Sequence, residues 1–83
     1  MDAEQLKQLK VDKTVDARGT SCPGPLLAAK KAMGEISSGQ ILEVLSSDEG
    51  TTRDIPKWAK KKGHEYLGTV EESGYYRIFV KKG

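Results

Sequence analysis

Five residues near the middle of the chain restrict the fold most. The run Ile41-Leu42-Glu43-Val44-Leu45 is almost continuously apolar and rich in β-branched side chains. Such a run predicts a strand that is buried for most of its length and lies in the middle of a sheet. The chain has 83 residues, which is enough for one hydrophobic core and too few for two. The other elements are therefore expected to pack around this strand.

Extended and helical patterns alternate along the rest of the sequence. Residues 13–17 read as a first strand, and apolar residues then recur at helical spacing over residues 23–37, with Gly39 as the stop. Residues 65–70 and 75–80 are two strand-like runs joined by a short glycine-containing link, which predicts a hairpin.

A second helix is predicted after the central strand. Thr51 and Asp54 have the spacing of a capping box, and Trp58 falls on the apolar face that follows, so it is expected in the core. Pro56 conflicts with this cap, because it would remove a helix hydrogen bond just past the first turn. Either the first turn is distorted or the regular helix begins nearer Pro56. Gly63 is expected to end this helix.

The predicted order is β-α-β-α-β-β. The first two strands should be parallel with a right-handed crossover, and the last two antiparallel. Each helix has one apolar face, which favours an α/β two-layer sandwich: a four-stranded mixed sheet with both helices on one face. The other face would meet solvent or a partner. Residues 1–12 are predicted to be a polar leader, with a short helical turn and a frayed segment as alternatives, and residues 13–83 a single domain.

Composition excludes several classes of protein. Fourteen Lys and Arg against twelve Asp and Glu leave a net charge of +2, which does not by itself favour nucleic acid. No apolar run is long enough to span a bilayer, and residues 1–10 lack a secretory signal. One cysteine allows neither an internal disulfide nor a Cys-x-x-Cys zinc site. We expect a cytoplasmic protein, monomeric, with no metal, no cofactor and no membrane contact.

The single cysteine, Cys22, is the candidate nucleophile. A free cysteine in a protein is often only a small buried hydrophobe. Here, however, Ser21-Cys22-Pro23-Gly24-Pro25 stands where the strand pattern gives way to the helix, so Cys22 is expected at a partly exposed helix start that favours the thiolate. The only histidine, His64, is not expected beside it. A thiolate with neither a general base nor a second thiol suits sulfur–sulfur exchange better than hydrolysis.

The residues around Cys22 have expected supporting roles. Pro23 and Pro25 stiffen the start of the helix, and Asp16, Arg18 and Gly19 form the end of the first strand and the turn before the thiol. Arg18 could lower the pKa of Cys22 or hold a persulfide anion, although a turn arginine is more often solvated. The candidate partner contacts are Lys30, Lys31 and Arg53. If the two helices lie side by side, Lys30 and Lys31 would form a basic rim with Lys57 and Lys60–Lys62 that could dock an acidic partner.

These blocks resemble the TusA/SirA family of sulfur-carrier proteins. The likeness begins with residues 15–19 and the Cys22-Pro23-Gly24-Pro25 stretch. It continues with residues 51–56, Trp58, Gly63-His64, Gly74 and the strand from Tyr76 to Lys81, and it covers roughly residues 13–82. The resemblance implies that Cys22 carries sulfane sulfur as a covalent persulfide, in a sulfurtransferase that relays sulfur rather than acting as a stand-alone catalyst. It implies a cysteine desulfurase or rhodanese-like donor and a DsrE-like acceptor, in tRNA thiolation, cofactor sulfur supply or sulfur oxidation.

Two alternatives stay open on the sequence. The first is a non-catalytic protein- or RNA-binding module that would stack bases on an open sheet face with Tyr75, Arg77 or Phe79. The second is a thiol sensor that oxidises Cys22, although the chain offers no resolving cysteine.

Overall fold

The computed structural model describes residues 3–20 and 24–83. The helices in these ranges are α1 (Ala3–Lys7), α2 (Gly24–Met33) and α3 (Thr51–Lys61). The strands are β1 (Lys13–Asp16), β2 (Ile41–Ser46), β3 (Glu65–Glu72) and β4 (Tyr75–Lys81). From β1 onward this is the predicted β-α-β-α-β-β order, and α1 precedes it.

The strands form one mixed sheet in the order β1-β2-β4-β3. β1 pairs with β2 in parallel, and β4 pairs in the antiparallel sense with both β2 and β3. β2 and β4 are therefore the inner strands, which confirms the central position predicted for the apolar run. The α/β two-layer architecture with a four-stranded mixed sheet is as predicted.

Helices α2 and α3 lie on the same face of the sheet. Their apolar sides share one buried cluster with alternate residues of the inner strands, among them Leu42, Val44, Ile78 and Val80. Trp58 belongs to this cluster and is 8% exposed, so its predicted core position is confirmed. Burial of these side chains removes apolar surface from water and is the main stabilising contribution of the layer.

The opposite face is partly covered by α1. Phe79 follows Ile78 along β4 and so points to the other side of the sheet, where it is fully buried with Val70 and Leu6. The sequence left open whether residues 1–12 contain a helical turn or a frayed segment, and α1 supplies a helix whose Leu6 packs on the sheet. The division of the chain at residue 12 stays a prediction.

The expected face for stacking bases differs from the observed one. Phe79 is 0% exposed, and the guanidinium of Arg77 lies 5.4 Å from its ring centroid and donates to Glu43. The prediction that Phe79 is available for stacking is therefore wrong. It failed because α1 covers the face of the sheet that carries Phe79. The elements predicted from residues 13–83 left that face open.

Two helix ends also differ from expectation. α2 ends at Met33, before the predicted limit of residue 37, although Ile36 just beyond it is still buried. α3 begins at Thr51 itself with Gly50 as N-cap and no side-chain cap, so the predicted capping box is wrong. The Thr51 hydroxyl instead accepts a hydrogen bond from Ser46 Oγ at 2.9 Å. Pro56 is accommodated inside the helix.

The end of α3 has the geometry predicted from Gly63. Gly63 has φ +78°, a left-handed conformation that favours glycine. The His64 amide donates to the Ala59 carbonyl at 2.8 Å, and the Gly63 amide donates to that of Lys60. This pair of bonds is a Schellman motif, which satisfies carbonyls that the helix end would otherwise leave unpaired.

Candidate functional site

The candidate site lies in the segment that joins β1 to α2. Cys22, the predicted nucleophile, lies outside the described residues, as do Ser21 and Pro23. The described chain reaches Thr20 on one side and resumes at Gly24, the first residue of α2, on the other. The site is therefore described through the contacts of the residues on either side of Cys22.

Asp16 and Arg18 form a closed pair at the end of β1. The Asp16 carboxylate accepts hydrogen bonds from the Arg18 Nε and Nη2 atoms, each at 2.9 Å, and from the Arg18 backbone amide at 3.1 Å. The bonds from the Arg18 side chain, then that from its amide, lower the pKa of Asp16 to about 2. The same pairing raises the pKa of Arg18.

Arg18 also contacts the start of β4. Its guanidinium carbon lies 4.9 Å from the centroid of the Tyr75 ring, a cation–π distance. The side chain is thus held by Asp16 and Tyr75 rather than being simply solvated. An effect of Arg18 on Cys22 stays a prediction.

Gly19 ties the turn before Cys22 to the neighbouring loop. Its backbone has φ +82°, and its amide donates to Ser47 Oγ at 2.9 Å. Ser47 follows β2 directly. Because β1 and β2 are parallel, the loops after both strands lie at the same edge of the sheet, and this hydrogen bond joins them there.

The two described ends of the segment are close together. Thr20 Oγ1 donates to the Ala17 carbonyl at 2.6 Å, and Ala17 continues the sheet through its amide, which donates to the Leu45 carbonyl at 2.8 Å. A Cβ atom placed on Gly24 would lie 3.1 Å from Thr20 Oγ1. Thr20 is thus fixed to β1 and packed on the first residue of α2.

Pro25 anchors the start of α2. Its side chain is fully buried, although it is only the second residue of the helix. Proline is tolerated in the first helical turn because the amide hydrogen that it lacks has no partner within the helix there. The supporting roles predicted for Pro25 and Pro23 stay predictions, and Pro23 lies outside the described residues.

The three candidate partner contacts occupy different positions on α2 and α3. Lys30 faces the groove between α2 and α3, while Lys31 is exposed on α2 outside that groove. Arg53 is exposed on α3, with Nη2 3.8 Å from Glu49 Oε1. The other lysines of this groove are Lys57, Lys61, Lys62 and Lys82. The first three belong to the basic rim that the sequence predicts if the two helices lie side by side, whereas Lys82 was not predicted there.

The sequence did not predict a polar network that lies on the face of the sheet away from α2 and α3. Glu43 in the apolar run is 7% exposed and accepts from Arg77 Nε at 2.6 Å and from Thr14 Oγ1 at 3.0 Å. Arg77 also lies 3.5 Å from Glu72, and these carboxylates raise its pKa. A carboxylate inside an apolar strand needs a cationic partner. The position of Glu43 within the apolar run was therefore the sequence feature that could have predicted this network.

Residues 3–20 and 24–83 contain no cluster of His, Cys, Asp or Glu that could hold a metal ion. No helix within the described part of the chain is long and apolar enough to cross a membrane.

Comparison with known proteins decides the family. The family model described as "Sulfurtransferase TusA" matches residues 13–82. The chain belongs to the TusA/SirA family. The match includes the strand, turn and helix start around Cys22 and leaves out α1.

Two TusA/SirA relatives are matched along nearly their whole length. A protein of Archaeoglobus fulgidus named as a candidate sulfur carrier is 52% identical over 68 residues, which is 82% of this chain and 93% of the relative. The sulfur carrier protein TusA of Allochromatium vinosum is 41% identical over 71 residues, covering 86% of this chain and 93% of the relative.

A solved structure agrees with the fold. The crystal structure of a SirA-like protein from Desulfitobacterium hafniense superposes with a TM-score of 0.71 at 31% sequence identity. The superposition covers 86% of this chain and 97% of that protein. The two-layer fold is thus shared with a TusA/SirA member as well as expected from the sequence.

Proposed function

We propose that this protein is a sulfur carrier that holds sulfane sulfur as a persulfide on Cys22 and passes it to another protein. The observation that carries the proposal is the family match over residues 13–82, which spans the Cys-Pro-Gly-Pro stretch. Relatives at 41% to 52% identity bear sulfur-carrier names, and this likeness supports the same role here.

The described residues around Cys22 support this chemistry. Cys22 precedes the first residue of α2 by two positions, and a helix start provides unpaired amide donors and a partial positive charge that favour a thiolate. Asp16, Arg18 and Gly19 fix the preceding turn through side-chain and backbone hydrogen bonds. The buried side chain of Pro25 fixes the start of α2, which follows Cys22.

The loading step exchanges one sulfur–sulfur bond for another. The Cys22 thiolate attacks the outer sulfur of a donor persulfide, R–S–SH. A bond forms between Cys22 Sγ and that sulfur, the bond to the donor breaks, and the donor leaves as the thiolate R–S⁻. No electrons are gained or lost overall, so the step needs neither a redox cofactor nor a metal. Delivery to an acceptor thiolate repeats the exchange.

The partners in this proposal are proteins. The donor is a cysteine desulfurase or a rhodanese-like protein, and the acceptor is DsrE-like or similar, in tRNA thiolation, cofactor sulfur supply or sulfur oxidation. The carrier itself is proposed to be a cytoplasmic monomer that binds no nucleic acid directly. It carries no cofactor other than the covalent sulfur.

Mass spectrometry of the intact protein tests the proposal. After incubation with thiosulfate, tetrathionate or a persulfide-loaded cysteine desulfurase, the wild-type protein should gain sulfur-containing mass. Cys22→Ser should gain none under the same conditions. Because the chain contains one cysteine, any thiol adduct reports on that residue alone. An unmodified wild-type protein with all three donors would overturn the proposal.

A further inference from the structure

A groove runs between the two helices that cover the sheet. Two adjoining hollows of about 380 and 470 Å³ share Lys30, Trp58 and Lys62 in their walls. We call this surface the lysine groove. Its further lining consists of Leu26, Met33, Gly34, Asp54, Lys57, Lys61, His64 and Lys82.

The topology sets the direction of the groove. β2 is parallel to β1 and antiparallel to β4, and β3 is antiparallel to β4, so each helix links strands that run in the same direction. Helices α2 and α3 therefore run side by side in the same sense. One end of the groove lies at Leu26, four residues after Cys22, and the other end lies at His64 and Lys82.

The charge of the groove is strongly positive. Among the described residues, five lysines line it against one carboxylate, that of Asp54. Within residues 3–20 and 24–83, the cations that form ion pairs are Lys13, Arg18, Arg53 and Arg77. The groove lysines are not among them. The whole chain has a net charge of only +2, so this concentration of cations is local.

The floor of the groove is apolar. Leu26 is half-buried, Met33 is 3% exposed and Trp58 is 8% exposed. A segment that binds here must therefore offer negative charge to both rims, with an apolar side chain against Leu26, the most exposed of the three floor residues. Ten helical residues span about 15 Å at about 1.5 Å each. That length accommodates about five residues of an extended peptide at about 3.3 Å each.

We propose that the lysine groove docks a short acidic segment, containing apolar residues, of the protein that exchanges sulfur with Cys22. The inference rests on the proposed function for the identity of the partner, and on the groove itself for the chemistry of the segment. A segment seated in the groove would extend along α2 to Leu26 and so place its protein beside the start of that helix.

An RNA strand fits the same groove less well. Single-stranded RNA is held by bases stacked on exposed aromatic rings as well as by cations. Trp58 packs against the His64 ring, with centroids 5.3 Å apart, and presents little of its own surface.

Fluorescence of Trp58, the single tryptophan of the chain, measures docking directly. The probe is a blocked twelve-residue peptide of four Glu-Glu-Leu repeats, with a Lys-Lys-Leu peptide and an oligouridine of twelve nucleotides for comparison. The acidic peptide should cause a saturable change that weakens with salt, and the lysine peptide should cause none. Absence of a saturable change at low salt, or tighter binding of oligouridine, would overturn the inference.

Two matched charge reversals locate the binding surface. Lys30→Glu combined with Lys62→Glu should weaken peptide binding by about tenfold or more, because two attractive rim contacts become repulsive. Lys7→Glu combined with Lys10→Glu changes the net charge equally at exposed positions in and after α1, on the opposite face, and should leave the affinity within about twofold. Equal losses in the two double variants would contradict docking in the groove.

Sulfur loading separates this inference from the proposed function. The Lys30→Glu, Lys62→Glu protein should still gain sulfur mass on Cys22 from thiosulfate or tetrathionate as the wild type does. If Cys22 is never loaded but the peptide binds, the proposed function fails and the docking surface stands. If Cys22 is loaded but the peptide does not bind, only the docking surface fails.

Discussion

The carboxylate of Asp16 accepts three hydrogen bonds from Arg18, two from the guanidinium and one from the backbone amide. The two residues close the end of β1 immediately before the segment that carries Cys22. The turn is thus held by a charged pair that is largely exposed, with Tyr75 lying against the guanidinium.

Replacing Arg18 by Ala should return the pKa of Asp16 from about 2 toward its ordinary value of 3.8. The folded pKa is depressed, so the pair stabilises the protein above the unfolded value, and this contribution is lost as the pH falls from about 4 toward 2. Carboxyl-detected NMR titration of Asp16 measures the shift. Arg53→Ala removes another exposed arginine that faces a carboxylate and should leave Asp16 unchanged. An Asp16 pKa that stays near 2 without Arg18 would contradict the assignment.

Gly19→Ala should slow the reaction of Cys22, and Gly39→Ala should not. Both glycines have positive φ, +82° and +87°, and a Cβ added to either would meet no atom within 4 Å, so each substitution should cost about 1 kcal/mol of backbone strain. Only Gly19 sets the turn before Cys22. A shift of this turn should weaken the interaction of the Cys22 thiolate with the start of α2. Alkylation by iodoacetamide at pH 7 should therefore slow by a factor of about 2 to 5, which corresponds to the size of a helix-terminus interaction. Equal rates in both variants would separate Cys22 from this turn.

The sequence predicted those features that depend on local patterns. The apolar run predicted the inner strand β2, Gly63 predicted the end of α3, and the resemblance around Cys22 predicted the family. Pairings between residues distant in the chain were missed. The Ser46 hydroxyl bonds to Thr51 and displaces the expected capping box, and Leu6 packs near Phe79 from the other end of the chain.

Breaking the pair of Glu43 and Arg77 should destabilise the fold more than removing both charges. Arg77→Met leaves Glu43, which is 7% exposed, without its closest cation, and should lower the free energy of unfolding by about 3 kcal/mol. Adding Glu43→Leu should recover most of this loss, because the unpaired charge is removed and Thr14 is exposed enough to bond to water. Urea denaturation of the two single variants and the double variant tests the coupling. Additive losses would contradict it.

Leu6→Ala should show that α1 is part of the folded unit. Leu6 is 2% exposed, and a Cβ placed on Gly68 would lie 2.7 Å from Leu6 Cδ1, so helix and sheet are in close contact. Deleting this side chain should cost about 2 kcal/mol, at the lower end for a buried leucine because a short terminal helix can shift. Leu27→Ala removes the same atoms from a residue that is 58% exposed and should cost less than about 0.5 kcal/mol. Similar midpoints of urea unfolding for the two variants would contradict the prediction that α1 is part of the folded unit.

His64 should titrate below its ordinary pKa of 6.5, first because it is partly buried and second because Lys82 is near. Its Nδ1 atom accepts a hydrogen bond from the Gly83 amide at 3.1 Å, which requires that nitrogen to be unprotonated. Since the folded pKa is depressed, the stability present above pH 6.5 is lost as the pH falls from there to the folded value. NMR titration of the His64 ring gives the pKa, and Trp58, 5.3 Å away, reports protonation by fluorescence. Lys82→Met should raise this pKa toward 6.5, whereas Lys81→Met, at an exposed neighbour, should not. A wild-type pKa at or above 6.5 would contradict the expectation.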